Sequence, residues 1–269
     1  MSLRIRNTNF ETGRPQVAIS LTGRTYEEII AQCRKAVSRP VQIIEWRADC
    51  YLAAIDNIEE ELLKADIYLE MLRILDDIRN IIGEMPLIFT LRSSRQGGFI
   101  NLEHDQIEGI QDFIAESELV DVVDVEIKGL KKKNGGIGGK LLMERVEKLH
   151  SLRVKVILSY HEFDEMIPSK DVVRLVDAMT NYGGDLYKVA AMAEDIEDAK
   201  EMVRATAFLT KHGVGPVVTC AMGKAGAITR IIGGKYGSVI TFAALDKASA
   251  PGQISVTKLA EKLDEVYGA

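Results

Sequence analysis

Lys188 stands alone in an apolar stretch, Asp185-Leu-Tyr-Lys-Val-Ala-Ala-Met192, and His161 closes another, Lys155-Val-Ile-Leu-Ser-Tyr-His161. An ammonium taken out of water is heavily penalised, so burial by itself favours the neutral, nucleophilic amine. A histidine on the neighbouring segment can move protons near neutral pH. The pair suggests Schiff-base chemistry with an acid/base partner. The competing reading is a lysine whose stem packs in the core while its head snorkels to water. Which applies depends on the elements that position the two side chains.

Strand-like and helix-like segments alternate along the chain. The strands are read at Val17–Leu21, Val41–Ala48, Pro86–Leu91, Val120–Ile127, Lys155–Tyr160, Leu186–Met192, Pro216–Met222 and Ser238–Leu245. Helical patterns fall at Tyr26–Val37, Ile58–Ile82, Leu102–Glu116, Lys140–Ser151, Asp171–Tyr182, Ile196–His212, Ala225–Ile232 and Val256–Tyr267. Thr25 with Glu28 three residues on has the form of a capping box. Eight βα units in series predict an α/β fold, a (β/α)8 TIM barrel. A doubly wound open sheet is the runner-up, but no G-x-G-x-x-G follows the first strand. The first sixteen residues stand outside the repeat, and the alternation Leu3-Arg-Ile-Arg6 predicts an N-terminal hairpin closing the barrel bottom. No Pro/Ser-rich linker interrupts the chain, so residues 1–269 are expected to be a single domain.

Composition narrows the function classes. The chain has 269 residues, 46% hydrophobic and 28% charged, as in soluble globular proteins. A net charge of −6 argues against nucleic acid as a partner, but a local basic pocket could still take a small anion. Cys33, Cys50 and Cys220 are far apart and show no zinc-ligand spacing, so free thiols in a cytoplasmic protein without metal are expected. The start, Met1-Ser-Leu-Arg-Ile-Arg-Asn7, lacks the apolar core of a signal peptide, and no apolar run approaches the roughly 18 residues of a membrane span.

In such a barrel the chemistry gathers at the C-terminal strand ends. The second strand ends Glu45-Trp-Arg47-Ala-Asp49 and the third Thr90-Leu-Arg92-Ser93-Ser94. The fourth carries Asp124-Val-Glu126 and ends at Lys128. The fifth ends at His161, the sixth carries Lys188 and Met192, and the seventh runs to Met222-Gly-Lys224 with Arg230 beyond. The eighth leads to Lys247-Ala-Ser-Ala-Pro-Gly-Gln253. Glu45 with Arg47 could equally be a structural ion pair. Asp49 and Asp124 fit structural network roles, and Glu126 could orient the Lys188 ammonium or a bound hydroxyl. Met192 and Met222 read as pocket wall. The run Lys131-Lys-Lys-Asn-Gly-Gly-Ile-Gly-Gly-Lys140 fails the P-loop pattern, because Leu141 follows the lysine, and reads as a solvated loop.

These strand ends resemble those of type I 3-dehydroquinate dehydratases. The resemblance rests on five ordered pieces. They are Asp124-Val-Glu126 with Ile157-Leu-Ser-Tyr-His161; Phe89-Thr-Leu-Arg92 before Gly97-Gly98; Lys188; Met222-Gly223 leading to Arg230; and Gly237-Ser238 through Phe242 to Ser249 and Gln253. It implies a hydro-lyase that removes water from 3-dehydroquinate in the shikimate pathway of aromatic amino acid biosynthesis, a reaction shared with quinate breakdown. It also implies no cofactor and a homodimer. Lys188 is implied as the Schiff-base lysine, His161 as general base and acid, and Arg230 as the carboxylate clamp. Glu45, Arg47 and Arg92 would position hydroxyls. Ser249 and Gln253 would come from a closing loop, and Phe242, Met192 and Met222 would line the pocket. The chain departs from the family pattern at Gln96, where glutamate is common; at Glu162, where Asp or Asn follows the histidine; and at Ala193, where proline is common. Gln96 and Glu162 are therefore the candidates for histidine support. Alternatives from other classes are an aldolase-like barrel enzyme and a non-catalytic binder of cyclohexane carboxylates.

Overall fold

The computed structural model describes residues 3–127 and 138–268. Lys128 and the glycine-rich run through Ile137 lie outside the described residues. An antiparallel hairpin, β1 (Leu3–Ile5) and β2 (Thr8–Phe10), comes first. Eight parallel strands follow: β3 (Gln16–Leu21), β4 (Ile43–Arg47), β5 (Leu87–Thr90), β6 (Val122–Glu126), β7 (Lys155–Glu162), β8 (Leu186–Met192), β9 (Val217–Met222) and β10 (Ile240–Ala243). Their order is β10-β3-β4-β5-β6-β7-β8-β9, each hydrogen-bonded to the next. Between β9 and β10 the Val239 amide donates to the Val217 carbonyl at 2.9 Å, and the Ser238 hydroxyl accepts from the Thr219 amide at 3.1 Å. Those contacts close the ring into a (β/α)8 barrel.

Alternation along each strand divides the barrel into two faces. The outward face, with Trp46, Phe89, Val123, Leu158 and Val189, packs under the helices. The inward face is stepped. Its floor is apolar: Ala18, Ile43, Ile88, Val122, Ile157, Leu186, Val218 and Ile240. Ile5 and Phe10 of the hairpin pack against that floor, so the hairpin plugs the bottom as expected. Two residues further along, Ser20, Glu45, Thr90, Asp124, Ser159 and Lys188 make the inward level polar on β3 to β8, and the next step carries Arg47, Arg92 and His161. A dry floor under a polar mouth is how a packed barrel supports chemistry at one end.

The helices α1 (Tyr26–Val37), α2 (Ala48–Leu52), α3 (Ile58–Glu61), α4 (Ala65–Ile82), α5 (His104–Glu116), α6 (Lys140–Ser151), α7 (Ser169–Thr180), α8 (Ile196–Lys211), α9 (Gly223–Gly226), α10 (Thr229–Ile232) and α11 (Val256–Tyr267) accompany the strands. In α4 the buried positions Ile67, Met71, Ile74, Leu75, Ile78 and Ile82 recur at helical spacing, each worth about 1.5–3 kcal/mol of burial. At the start of α1 the Thr25 hydroxyl accepts from the Glu28 amide, while the Glu28 carboxylate reaches back to the Arg24 amide at 2.7 Å rather than to Thr25 itself.

Three local expectations need correction. The helical pattern over Ile58–Ile82 is two helices, α3 and α4, with Leu62–Lys64 turning between them. No glycine or proline marks that break. The second strand stops at Arg47, and Asp49 belongs to a one-turn helix, α2. The stretch Ala225–Ile232 is also divided, because Thr229 turns its hydroxyl to the Gly226 carbonyl and the Ala221 amide. A Cβ at Gly226 would lie 2.3 Å from the Ala221 carbonyl oxygen, so that chain reversal requires glycine.

Candidate active site

The strand register brings the site together level by level. Ser20 pairs with Glu45, Thr90 with Asp124, and Ser159 with Lys188 across neighbouring strands. On this level Glu45 accepts from the hydroxyls of Ser20 and Thr90, the latter at 2.9 Å. Lys188 Nζ lies 3.3 Å from Asp124 Oδ2 and 3.6 Å from Glu45 Oε1. The Phe242 ring centroid is 4.6 Å from the same nitrogen. Lys188 is only 8% exposed, so its head does not snorkel to water. The isolated amine anticipated from burial alone is instead an amine between two carboxylates.

One step higher, Arg92 donates to Asp124 at 2.6 Å, to Glu126 at 3.0 Å and to the Ser159 hydroxyl at 2.8 Å. Arg47 holds Asp49 through two parallel bonds of 2.7 Å. Burial opposes ionisation of Asp124, but Arg92, Lys188 and the Ser159 hydrogen bond outweigh it and bring its carboxyl down to about 2. Glu45 is likewise held below the usual carboxylate range, where burial is outweighed by Lys188 and Arg47. Both remain anions around the lysine.

His161 shows the opposite balance. Burial, then the cations Arg92, Lys188 and Arg47, push its imidazole well below the ordinary value. The ring is therefore neutral at pH 7 and able to accept a proton. Gln96, buried in the turn after β5, presents Oε1 to the His161 backbone amide at 2.9 Å and to Nδ1 at 3.4 Å. Its amide nitrogen donates to the Ile127 carbonyl at 3.3 Å. An acceptor at Nδ1 assigns the proton there and leaves Nε2 as the basic nitrogen. A carboxylate in that place would favour the imidazolium, so Gln96→Glu should raise the His161 pKa. Imidazole titration by NMR should show the ring protonating at higher pH in the variant; an unmoved titration would mean that residue 96 does not govern the ring.

Glu162 is placed differently from the histidine support read from the sequence. Alternation in β7 turns it to the side opposite His161, where it accepts from the Tyr160 hydroxyl at 3.4 Å and the Asp164 amide at 3.1 Å. Of the two roles read for Glu126, facing the Lys188 ammonium falls to Asp124 instead. Glu126 pairs with Arg92 and takes both the amide and the hydroxyl of Ser93.

Arg230 is buried, and among the described residues no carboxylate pairs with it. Its guanidinium donates to the backbone carbonyls of Gly252 (3.1 Å), Pro251 (3.1 Å) and Phe242 (3.3 Å). A buried cation satisfied only by neutral carbonyls keeps its charge available to an anion. The same bonds seat the loop after β10 over the mouth. Within that loop the Ser249 amide donates to Gln253 Oε1 at 2.7 Å, and Gln253 Nε2 donates back to the Ser249 hydroxyl at 2.8 Å.

A cleft of about 790 Å³ joins these groups. Glu45, Arg47, Arg92, Gln96, His161, Lys188, Met222, Arg230, Phe242, Ser249 and Gln253 all border it. Met192 and Glu162 do not. Met192 lies further along β8, its sulfur 3.1 Å from where a Cβ on Gly223 would stand. Sequence reading missed Ser20 and Phe163, placed Thr90 at the mouth without a role, and gave Asp124 only a network role. Counting two residues back from Arg47, Arg92 and His161 reaches Glu45, Thr90 and Ser159, so parity could have found part of this level. Phe163 leaves no such signal; its ring covers Gly97, where any Cβ would lie 2.1 Å from it. Among the described residues no cluster of three or more His, Cys, Asp or Glu is placed to hold a metal.

The sequence is similar to a curated 3-dehydroquinate dehydratase of Klebsiella pneumoniae subsp. pneumoniae, 31% identical over 261 residues, covering 97% of this chain and 96% of that protein. The fold is similar to the crystal structure of 3-dehydroquinate dehydratase from Geobacillus kaustophilus, with a TM-score of 0.87, 28% identity and coverage of 100% and 98%. It is also similar to type I 3-dehydroquinate dehydratase from Clostridium difficile, solved with covalent modified comenic acid, with a TM-score of 0.86, 29% identity and coverage of 99% and 98%. The pattern of the family described as type I 3-dehydroquinase matches residues 17–268, from the first barrel strand through the last helix. Residues 1–16, which include the plugging hairpin, and Ala269 fall outside that match, and the chain belongs to the type I 3-dehydroquinase family.

Proposed function

We propose that this protein is a 3-dehydroquinate dehydratase that removes water from 3-dehydroquinate by syn elimination through a Schiff base on Lys188. The observation that carries the reading is a lysine between two buried carboxylates in a cleft that also holds a neutral imidazole and an arginine with no anionic partner among the described residues. Arg230 binds the substrate carboxylate, and Glu45, Arg47 and Arg92 position the ring hydroxyls. The Lys188 amine adds to the ketone to give a carbinolamine, whose hydroxyl takes up a proton and leaves as water, giving a cationic iminium. That cation acidifies the adjacent C–H. His161 Nε2 removes the proton and leaves an enamine. The enamine expels the β-hydroxyl, which takes the proton back from His161 and departs as water. Water then hydrolyses the product imine and frees Lys188, so the amine supplies the electron sink. Ser249 and Gln253 close the site, while Phe242 and Met222 wall it.

The test is direct. Purified protein given 3-dehydroquinate should produce an ultraviolet-absorbing enone. Borohydride added during turnover should fix one adduct, mapped by mass spectrometry to Lys188. No enone and no adduct would defeat the reading. An aldolase-like enzyme would instead act on a panel of aldol substrates. A non-catalytic binder of cyclohexane carboxylates would show thermal stabilisation by ligand without product.

The same reading takes residues 1–269 as one domain, working as a homodimer in the cytoplasm of the cell. Support for the first is one barrel whose strands draw on nearly the whole chain. Among the described residues no helix is long and apolar enough to cross a membrane. Sedimentation of the full chain at the mass of one 29.8 kDa copy would dismiss the dimer.

A further inference from the structure

Beside the catalytic cleft lies a second cavity of about 640 Å³, bordered by Thr22, Arg24, Arg47, Phe99, Lys247 and Ser249 among others, none of them acidic. Arg47 and Ser249 border both cavities, so the two lie side by side at the mouth. Arg47 is neutralised by Asp49. Arg24 sits in the turn between β3 and α1, and its backbone amide is capped by Glu28. Lys247 sits in the loop after β10, next to Asp246, whose carboxylate is taken by Lys35. Both side chains are exposed, and among the described residues neither is in an ion pair. Phe99 adds an apolar face to the same cavity at 67% exposure.

This arrangement matters because the chain as a whole carries a net charge of −6. An anion approaching it meets a repulsive average field. Within the screening distance of roughly 8–10 Å, however, what it meets is the local charge at the mouth. Two unpaired cations at the rim of a cleft concentrate an anion there. Resting on the dehydratase reading, we propose that Arg24 and Lys247 form an electropositive vestibule, with Phe99 as an apolar platform. The vestibule captures a cyclic carboxylate by its charge and ring face before the carboxylate passes inward to Arg230. Arg24 and Lys247 are thus entry residues that touch none of the reacting atoms.

The experiment compares the full chain with an Arg24→Gln/Lys247→Gln double variant over about 10 mM to 0.5 M salt. At low salt the variant should lose on the order of tenfold in kcat/KM, the lower end of electrostatic steering, while kcat is unchanged. It should also lose most of the salt dependence shown by the wild type. The charge-preserving Arg24→Lys/Lys247→Arg variant should restore both. Wild-type kcat/KM with wild-type salt dependence in the neutralised variant would overturn the vestibule, as would a fall in kcat equal to the fall in kcat/KM. Absence of any enone from the wild-type chain would overturn the dehydratase reading instead. In that case calorimetric binding of cyclohexanecarboxylate at low and high salt tests the vestibule on its own. Equal affinity for wild type and neutralised variant at low salt would end it.

Discussion

Replacing Lys188 with alanine will abolish the borohydride-fixed adduct and lower turnover by on the order of 10⁴- to 10⁶-fold, the scale seen when a covalent nucleophile is removed. Because Lys188 Nζ lies within 3.6 Å of both Glu45 and Asp124, the substitution also strips a cation from two buried carboxylates. Asp124 keeps Arg92, and Glu45 keeps its bonds from Ser20 and Thr90. The fold should therefore persist with reduced stability. Lys188→Met keeps the stem and removes only the amine, which separates lost chemistry from lost packing. The stability effect has a defined pH sign. In the wild type the Asp124 carboxyl is depressed to about 2, so its contribution is present above the unfolded value of 3.8 and is lost as pH falls through about 2. Without Lys188 that depression shrinks, and thermal stability should fall less steeply on acidification than in the wild type. A folded Lys188→Met protein that still yields adduct at residue 188's peptide or turns over normally would remove the lysine from the mechanism.

The second large effect is expected at His161. Its alanine variant should lose roughly 10²- to 10⁴-fold in turnover, the usual worth of a positioned acid/base group, yet still trap imine, because imine formation and proton removal are separate steps. The wild-type ring is held neutral by burial and by Arg92, Lys188 and Arg47, so its basic form persists well below the pH at which a free histidine would protonate. On the acid side, the wild-type rate governed by this residue should therefore hold below pH 6.5 and fail only as the depressed value is crossed. The alanine variant should lack that limb altogether. Near-normal turnover in His161→Ala, with the limb retained, would place the base elsewhere in the cleft.

Residues legible from the sequence were those tied to a period. Lys188, His161, Arg47 and Arg92 could be sent to one mouth because parallel strands of a βα repeat all present their C-terminal ends there. The hairpin could be sent to the other end, since Leu3-Arg-Ile-Arg6 alternates outside the βα repeat, and Ile5 and Phe10 do pack on the floor there. Parity would also have separated Glu162 from His161, since consecutive strand residues face opposite sides. The errors came where periodicity stops. The break between α3 and α4 has no glycine or proline to announce it. The α2 turn starts directly from the strand and carries Asp49 back to Arg47.

The barrel and the set of side chains at its mouth were readable from the chain alone, because hydrophobic alternation is a local property that each strand carries by itself. Only the tertiary structure decided how those side chains pair. Whether Lys188 meets Asp124 or Glu126 depends on register between strands 64 residues apart in sequence, and Asp124 meets it. Gln96 reaches His161 because a turn after β5 folds under Phe163. Among the described residues Arg230 meets no carboxylate, because the loop after β10 offers it the carbonyls of Pro251 and Gly252. Those contacts join distant segments through geometry, which residue type and spacing do not encode one segment at a time. They turned a buried lysine expected to be neutral into one held between two anions.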